Sequence, residues 1–474
     1  MAKFNQTATN KTVNKSGHIA YKMGDKEKLI TQVLTSFFNE SKFYGDNSAD
    51  MQETIKRVIA TDPEFIAKLA VFARREFNMR SVAHILTAYL AHETGGKPYT
   101  RKTVNAVTLR GDDVTEIMAC YLNLFGKPIP NSLKKGISDA MQGFDEYTLA
   151  KYKGNGNTVK MRDLLCLCRP TPKNKAQSDM WKRLLEDKLE TPLTWETELS
   201  ANGNNKETWE KLIDSGKVGY MALLKNLRNI LNANPSNVNK VLEIIQNPER
   251  VKKSKQLPFR YLSAYKELRN IGGSRVFDAL ENAVEASCEN IPKLSGTTVI
   301  AVDVSGSMGS TISNKSEIRC YEIAALLGLI ANKICEDSHF FVFNGGAEKY
   351  AVSHRSGILE TALNFRCYGG TNMAAPFDKM IKERIKADRI IVLSDNECNS
   401  GRYTVQSVAD KYRNFSGNDI WVHAIDLQGY GTQQFCGRKT NIIAGWSEKV
   451  LEFIRLAEQG EGSLIKTIEQ YTIK

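Results

Sequence analysis

Five oxygen-bearing side chains are spaced so that they could hold a small, hard cation. Asp303-Val304-Ser305-Gly306-Ser307 puts a carboxylate and two hydroxyls on one short turn. Gly369-Gly370-Thr371 offers a third hydroxyl behind two glycines, and Ser394-Asp395 offers a second carboxylate. Such oxygens suit Mg2+, with Mn2+ as the second choice, whereas softer metals favour thiolate or imidazole. The candidate metal ligands are therefore Asp303, Ser305, Ser307, Thr371 and Asp395, and the expected cofactor is one divalent ion. The bland alternative is that the Asp-Ser-Ser turn merely caps a following helix. That would explain one of the three groups and leave the other two without a reason.

Apolar runs are the elements that would position these ligands. Thr297 to Asp303 (TTVIAVD), His339 to Phe343, Arg389 to Leu393 (RIIVL) and Ile420 to Ile425 (IWVHAI) read as buried strands, and two of them end at the ligand groups. Helix-like stretches lie between them, including Tyr321 to Lys333 and Met373 to Arg384. Strands alternating with helices predict a parallel sheet covered on both faces, with ligands at the carboxyl edge of the strands. This α/β domain is expected to occupy 296–474, after the linker Asn290-Ile291-Pro292-Lys293-Leu294-Ser295-Gly296.

The part before it reads differently. From about 48 to 290 the apolar residues recur at helical spacing, as in Phe65, Leu69 and Phe72, or Leu133, Ile137, Met141 and Phe144. Asp62-Pro63 and Asp113 mark helix starts, while Gly95-Gly96 and Asn234-Pro235 mark ends. Many short helices with brief connections predict an all-α solenoid or a large bundle, although no strict sequence period is visible. Charge divides at the same place. Residues 1–300 hold 45 Lys+Arg against 33 Asp+Glu, and residues 301–474 hold 20 of each, which together make the chain's 65 and 53. The whole excess lies in the helical part, as expected of a surface that meets a polyanion.

No run of apolar residues is long enough for a membrane span, and the first thirty residues lack the apolar stretch of a signal peptide, so a cytoplasmic protein without membrane contact is expected. Nine cysteines, an odd and scattered set, read as reduced. Cys166 and Cys168 form an isolated C-x-C, read as buried packing thiols in preference to a zinc site.

Asp-x-Ser-x-Ser followed by a Gly-Thr turn and a strand-terminal Asp resembles the metal-ion-dependent adhesion site of von Willebrand factor A domains. In that family the serines and threonine contact the metal, the aspartates act directly or through water, and one position stays open for a partner carboxylate. The flanks Gly369-Gly370-Thr371-Asn372-Met373 and Leu393-Ser394-Asp395-Asn396-Glu397 narrow the match. Upstream, Ala150-Lys151-Tyr152-Lys153, Arg162 to Pro170 and Met221 to Leu227 extend it over nearly the whole chain. Together they resemble the Ro autoantigen family, which joins a helical-repeat TROVE module to a von Willebrand A domain.

The fold class implied is multidomain, α and α/β: an all-α, HEAT-like helical-repeat ring over 48–290, then a doubly wound A-type domain over 296–474. Residues 1–47 are expected to pack near the A domain, since Gly17-His18-Ile19-Ala20-Tyr21 resembles the family's amino-terminal segment. The resemblance also implies a monomeric ribonucleoprotein of RNA quality control. It would bind Y-like small RNA on a basic outer surface and single-stranded 3′ ends of misfolded RNA in a central hole, with an exoribonuclease or an acidic protein as further partner. Matched to the family's RNA-contacting stretch are Lys151, Lys153, Lys160, Arg162 and Arg169. Arg169 departs from the family, whose members commonly have histidine there.

Two other classes compete. An adhesion or scaffold protein would use the metal to capture an acidic partner. An enzyme is not expected: the hydroxyls beside the two aspartates are poor general bases, and neither a P-loop nor catalytic histidine or cysteine spacing is present.

Overall fold

The computed structural model describes residues 11–35, 47–154, 158–192, 194–289, 291–312, 316–353, 356–436, 438–445, 447–459 and 464–473. Within these the chain divides into two compact units, Lys42–Leu193 with Ile465–Lys474, and Met1–Ser41 with Thr194–Leu464.

The first of these is helical for the reasons its sequence suggests. Asp62 caps the helix Pro63–Arg75 by accepting a hydrogen bond from Phe65 N at 3.0 Å, and Pro63 fills the first turn where no amide donor is needed. The helix Ser81–His92 is buried over Val82–Ala91 and is flanked by Pro63–Arg75, Lys97–Val107 and Asp113–Phe125. Gly96 lets the chain turn tightly there, because a Cβ would collide with the backbone of Leu90. Asp113 is wholly buried in the first turn of its helix, where it pairs with Arg74 (2.9 Å), Arg80 (2.7 Å) and His84 (3.1 Å). The end of the chain joins this unit: Tyr471 donates to Glu76 at 2.9 Å and packs edge-on against Phe72.

The other unit begins with short helices, among them Trp195–Asn202, Val238–Gln246 and Ser274–Cys288, the last burying Val276, Ala279, Leu280, Ala283 and Val284 along one stripe. Asn234 ends a helix in the left-handed conformation that Asn tolerates. Among the described residues the same unit holds nine strands: β1 (Lys11–Val13), β2 (Ile19–Lys22), β3 (Leu294–Asp303), β4 (Cys335–Phe343), β5 (Ala347–Lys349), β6 (Arg389–Ser394), β7 (Trp421–Asp426), β8 (Thr432–Gln433) and β9 (Thr440–Ala444).

Six of them form one sheet in the order β5-β4-β3-β6-β7-β9. All neighbours are parallel except β5, which returns antiparallel on β4, so the expected parallel sheet gains one mixed edge. Period-two alternation sends Val299, Ala301, Ile390, Val392, Val422 and Ala424 to one face, where Phe377 and Tyr412 from the helices Ala375–Lys382 and Val405–Ser416 cover them. The helix Cys320–Ile334 covers the opposite face, and Gly328 admits it, since a Cβ would lie 2.7 Å from Val302 Cγ2.

Residues 11–22 fold as a hairpin, β1 on β2, and β2 pairs antiparallel with β8 in a small second sheet. Asn14 fastens it by donating to the carbonyl of Cys398 at 2.6 Å. Residues 1–10 and 36–46 of the expected amino-terminal segment lie outside the described residues.

The C-x-C reading is corrected: Cys166 is exposed and Cys168 only half-buried. In the helix Met161–Cys168 the inward positions are Met161, Leu164 and Leu165, so position 166 faces out. No helix among the described residues is long and apolar enough to cross a membrane.

Candidate metal centre and basic surface

Asp303 is the last residue of β3 and Asp395 follows the last residue of β6, its neighbour in the sheet, so the two carboxylates meet at the carboxyl edge. Both are fully buried, as are Ser305 and Thr371, while Ser307 is exposed at the mouth. Ser305 N and Ser394 Oγ donate to the two oxygens of Asp303 at 2.9 and 2.6 Å. Ser305 Oγ lies 3.2 Å from Ser307 Oγ. Glu397 N donates to Asp395 Oδ1 at 3.2 Å.

Glycines bring the threonine loop in. Gly306 N donates to Gly369 O at 2.9 Å, and Gly369 has the left-handed φ of +81° that favours glycine. Asn399 then pins Thr371, accepting from its N at 2.7 Å and donating to its O at 3.0 Å through the backbone. All five sequence-predicted oxygen ligands are thereby brought to one edge. The residues that orient them were not singled out from the sequence: Ser394, Asn399 and Cys367, whose thiol donates to Ser305 O at 2.8 Å. Only Ser394 carried a signal, its place beside Asp395.

The electrostatics fit a cation. Burial, and for Asp303 the neighbouring Asp395 charge, raise both carboxyl pKa values, that of Asp303 to about 7. Neither is in an ion pair among the described residues. Thr371 Oγ1 and Asp395 Oδ2 are buried without any hydrogen-bond partner among the described residues, and buried orphan oxygens at the strand edge that carries both carboxylates are what a hard cation would satisfy. No group of three His, Cys, Asp or Glu side chains arranged to hold a metal ion occurs among the described residues, so the donor set rests on hydroxyls as much as on carboxylates.

In the helical unit, Lys151, Lys153, Lys160, Arg162 and Arg169 lie on two consecutive helices, Glu146–Lys151 and Met161–Cys168, and their flanks. Met161 N donates to Lys153 O at 3.2 Å and closes the connection between them. Lys151, Arg162 and Arg169 are exposed, and Lys160 is half-buried at the N-cap, its N donating to Asp163 at 2.8 Å. Lys151 lies 5.6 Å from each of the Tyr147 and Tyr152 ring centroids. Lys153 pairs with Asp187 at 3.1 Å on the surface, a bond weak enough to exchange for another anion. Arg169 ends its helix in the left-handed conformation at φ +47°. Arg110, 5.4 Å from the Tyr152 ring, borders the group and carried no sequence signal. Residues 155–157 lie outside the described residues.

A doubly wound domain with an oxygen-lined site at its carboxyl edge, following in sequence a helical region with a basic surface, defines an A-type domain joined to a helical module. Residues 24–187 and 182–276 match the TROVE domain family, more than half of the 474-residue chain, and residues 297–428 match the Ro60 vWA domain. The chain belongs to the TROVE domain family. It is 28% identical over 214 residues to the RNA-binding protein RO60 of Deinococcus radiodurans (41% of this chain, 40% of the relative). It is 26% identical over 243 residues to that of Caenorhabditis elegans (48% and 38%), and 25% identical over 325 residues to telomerase protein component 1 of Rattus norvegicus (51% and 12%). It thus spans about two-fifths of the RO60 relatives' length and 12% of the telomerase component's. The crystal structure of the D. radiodurans RO (RSR) protein shares its fold, with a TM-score of 0.62 and 18% identity over 93% of this chain and 100% of that one.

Proposed function

We propose that this chain is an RNA-binding protein of the Ro type, which holds Y-like structured small RNA on its basic helical surface and receives single-stranded 3′ ends of misfolded RNA. What carries the reading is the grouping of Lys151, Lys153, Lys160, Arg162 and Arg169 around one closed helix-to-helix connection in the TROVE region. Rigid helices presenting Lys and Arg suit duplex RNA, which is read through phosphates and shape. The protein acts as a cytoplasmic monomer that hands RNA to an exoribonuclease and is not itself an enzyme. Mg2+ at Asp303, Ser305, Ser307, Thr371 and Asp395 completes the A domain, and the orphaned Thr371 and Asp395 oxygens support it.

The test is a titration of the full chain with a stem-loop RNA at several salt concentrations. Replacing Lys151, Lys153, Arg162 and Arg169 by glutamate should weaken binding strongly and lower the slope of log affinity against log salt by a few units, at about 0.7 to 0.9 per phosphate contact. An unchanged affinity and slope in the folded variant would remove this surface from the reading. The second reading, capture of an acidic protein through the metal, is supported by the same orphan oxygens and gains if the chain binds no RNA.

A further inference from the structure

Two tyrosines and three arginines stand on the loops around the oxygen cluster, and the cluster uses none of them. Tyr403 and Tyr368 are the most exposed large hydrophobic side chains among the described residues, at 67% and 62%. Scattered exposed aromatics are ordinary, but these two border one site. Tyr368 N donates to Val304 O at 2.8 Å, between Asp303 and Ser305, and the next residue accepts from Gly306. Tyr403 follows Ser400, whose N donates to Thr371 O at 3.0 Å, and Gly401, which lies against the Asn372 side chain.

Each tyrosine has an exposed arginine close in sequence, Arg366 and Arg402, and Arg319 reaches the same loops by donating to Gly309 O at 2.6 Å. None of the three is in an ion pair among the described residues, unlike Lys211, Arg228, Lys240 and Lys266 in the same unit, which all hold carboxylates. Other exposed residues on these metal-ligand loops include Gly306, Ser307, Gly369, Asn399 and Gly401. They provide no apolar socket of the kind that anchors a protein partner. Open aromatic faces beside unpaired guanidinium groups are the combination that grips unpaired bases and their phosphates.

The geometry points to a single-stranded RNA collar on the A domain, in which Tyr368 and Tyr403 stack on bases and Arg366 and Arg402 neutralise phosphates beside the metal-ligand loops. This rests on the RNA-binding reading and assigns its single-stranded ligand to a surface distinct from the basic helices. The full chain is titrated with an oligouridine of about ten nucleotides and, separately, with a stem-loop RNA lacking a tail. The Tyr368→Ala/Tyr403→Ala variant should lose at least about tenfold in oligouridine affinity, and Arg366→Gln/Arg402→Gln should lower the salt slope by about 1.4. Both should bind the stem-loop as the natural chain does. Tyr368→Trp/Tyr403→Trp keeps a stacking face and should restore oligouridine binding even if the alanine pair disturbs the loops.

Stem-loop binding without oligouridine binding in the natural chain overturns the collar and leaves the RNA reading standing. Failure of both RNAs overturns that reading and the collar with it. Oligouridine binding unchanged in the tyrosine and arginine variants also overturns the collar. So does an acidic peptide that binds with the same variant dependence while oligouridine does not, which would make the surface a protein site.

Discussion

Ser394 Oγ donates to Asp303 Oδ2 at 2.6 Å, so the carboxylate at the end of β3 is oriented by the last residue of β6, which immediately precedes the partner carboxylate of Asp395. The strand pairing that builds the sheet therefore also builds the site.

Asp303→Ala should abolish Mn2+ binding by the full chain in calorimetry. Ser394→Ala, which leaves every ligand in place but removes this hydrogen bond and the one that Ser394 Oγ accepts from Asn396 N at 3.1 Å, should weaken it about 10- to 100-fold. Stem-loop RNA affinity should stay within a few-fold in both, because the ligands lie in the charge-neutral part of the chain. A large loss of RNA affinity in folded protein would join the two sites into one.

Asp113→Asn should destabilise the helical unit by about 3–5 kcal/mol, because it leaves the buried Arg74 guanidinium without its countercharge. Urea unfolding followed by far-UV circular dichroism measures this. A shift below about 1 kcal/mol would mean that the arginines find water there.

Acid should weaken the A domain in a defined order. Burial holds His423 neutral, with its pKa below the ordinary value, so the unfolded chain gains its proton first and stability begins to fall as pH drops below about 6.5. Burial raises the Glu458 carboxyl, but hydrogen bonds from His423 and Arg389 outweigh it and hold the pKa at about 2. Its stabilisation is present above the unfolded value near 4.5 and is lost as pH falls from there towards 2. Glu458→Gln should lower the thermal midpoint at pH 7 and flatten the profile below about pH 4.5. An unflattened profile would assign acid lability to other carboxylates.

Structured RNA incubated with the pure chain and Mg2+ should be recovered intact, since hydroxyls and buried carboxylates supply metal ligands without a general base or leaving-group acid. Cleavage that disappears in Asp395→Ala would establish a hydrolytic site instead.

The parts legible in the sequence were those whose signal is local. The run TTVIAVD becomes β3 and RIIVL becomes β6, because four or more consecutive apolar residues suffice to identify a strand buried on both faces. Asp62-Pro63 marked its helix because the cap and the first-turn proline act within four residues. The hairpin β1–β2 was not legible: its strands are three and four residues long, and β2 gains its outer partner β8 from more than four hundred residues away. Likewise, the oxygen ligands were visible as chemical types at strand ends. Asn399 has no such mark, because its role exists only once the loop carrying Thr371 folds against it. The Arg366 and Arg402 pair was equally hidden, since two arginines thirty-six positions apart share a site only through the sheet.

The central claim, that this chain is a Ro-type RNA-binding protein, is tested most directly by isolating the native full chain and sequencing the nucleic acid it carries. The account predicts a discrete population of small structured RNA. It should be absent from protein in which Lys151, Lys153, Arg162 and Arg169 are replaced by glutamate and present in the Asp303→Ala protein. Protein that emerges free of RNA, or that retains the same RNA after the four replacements with its fold intact, would contradict it.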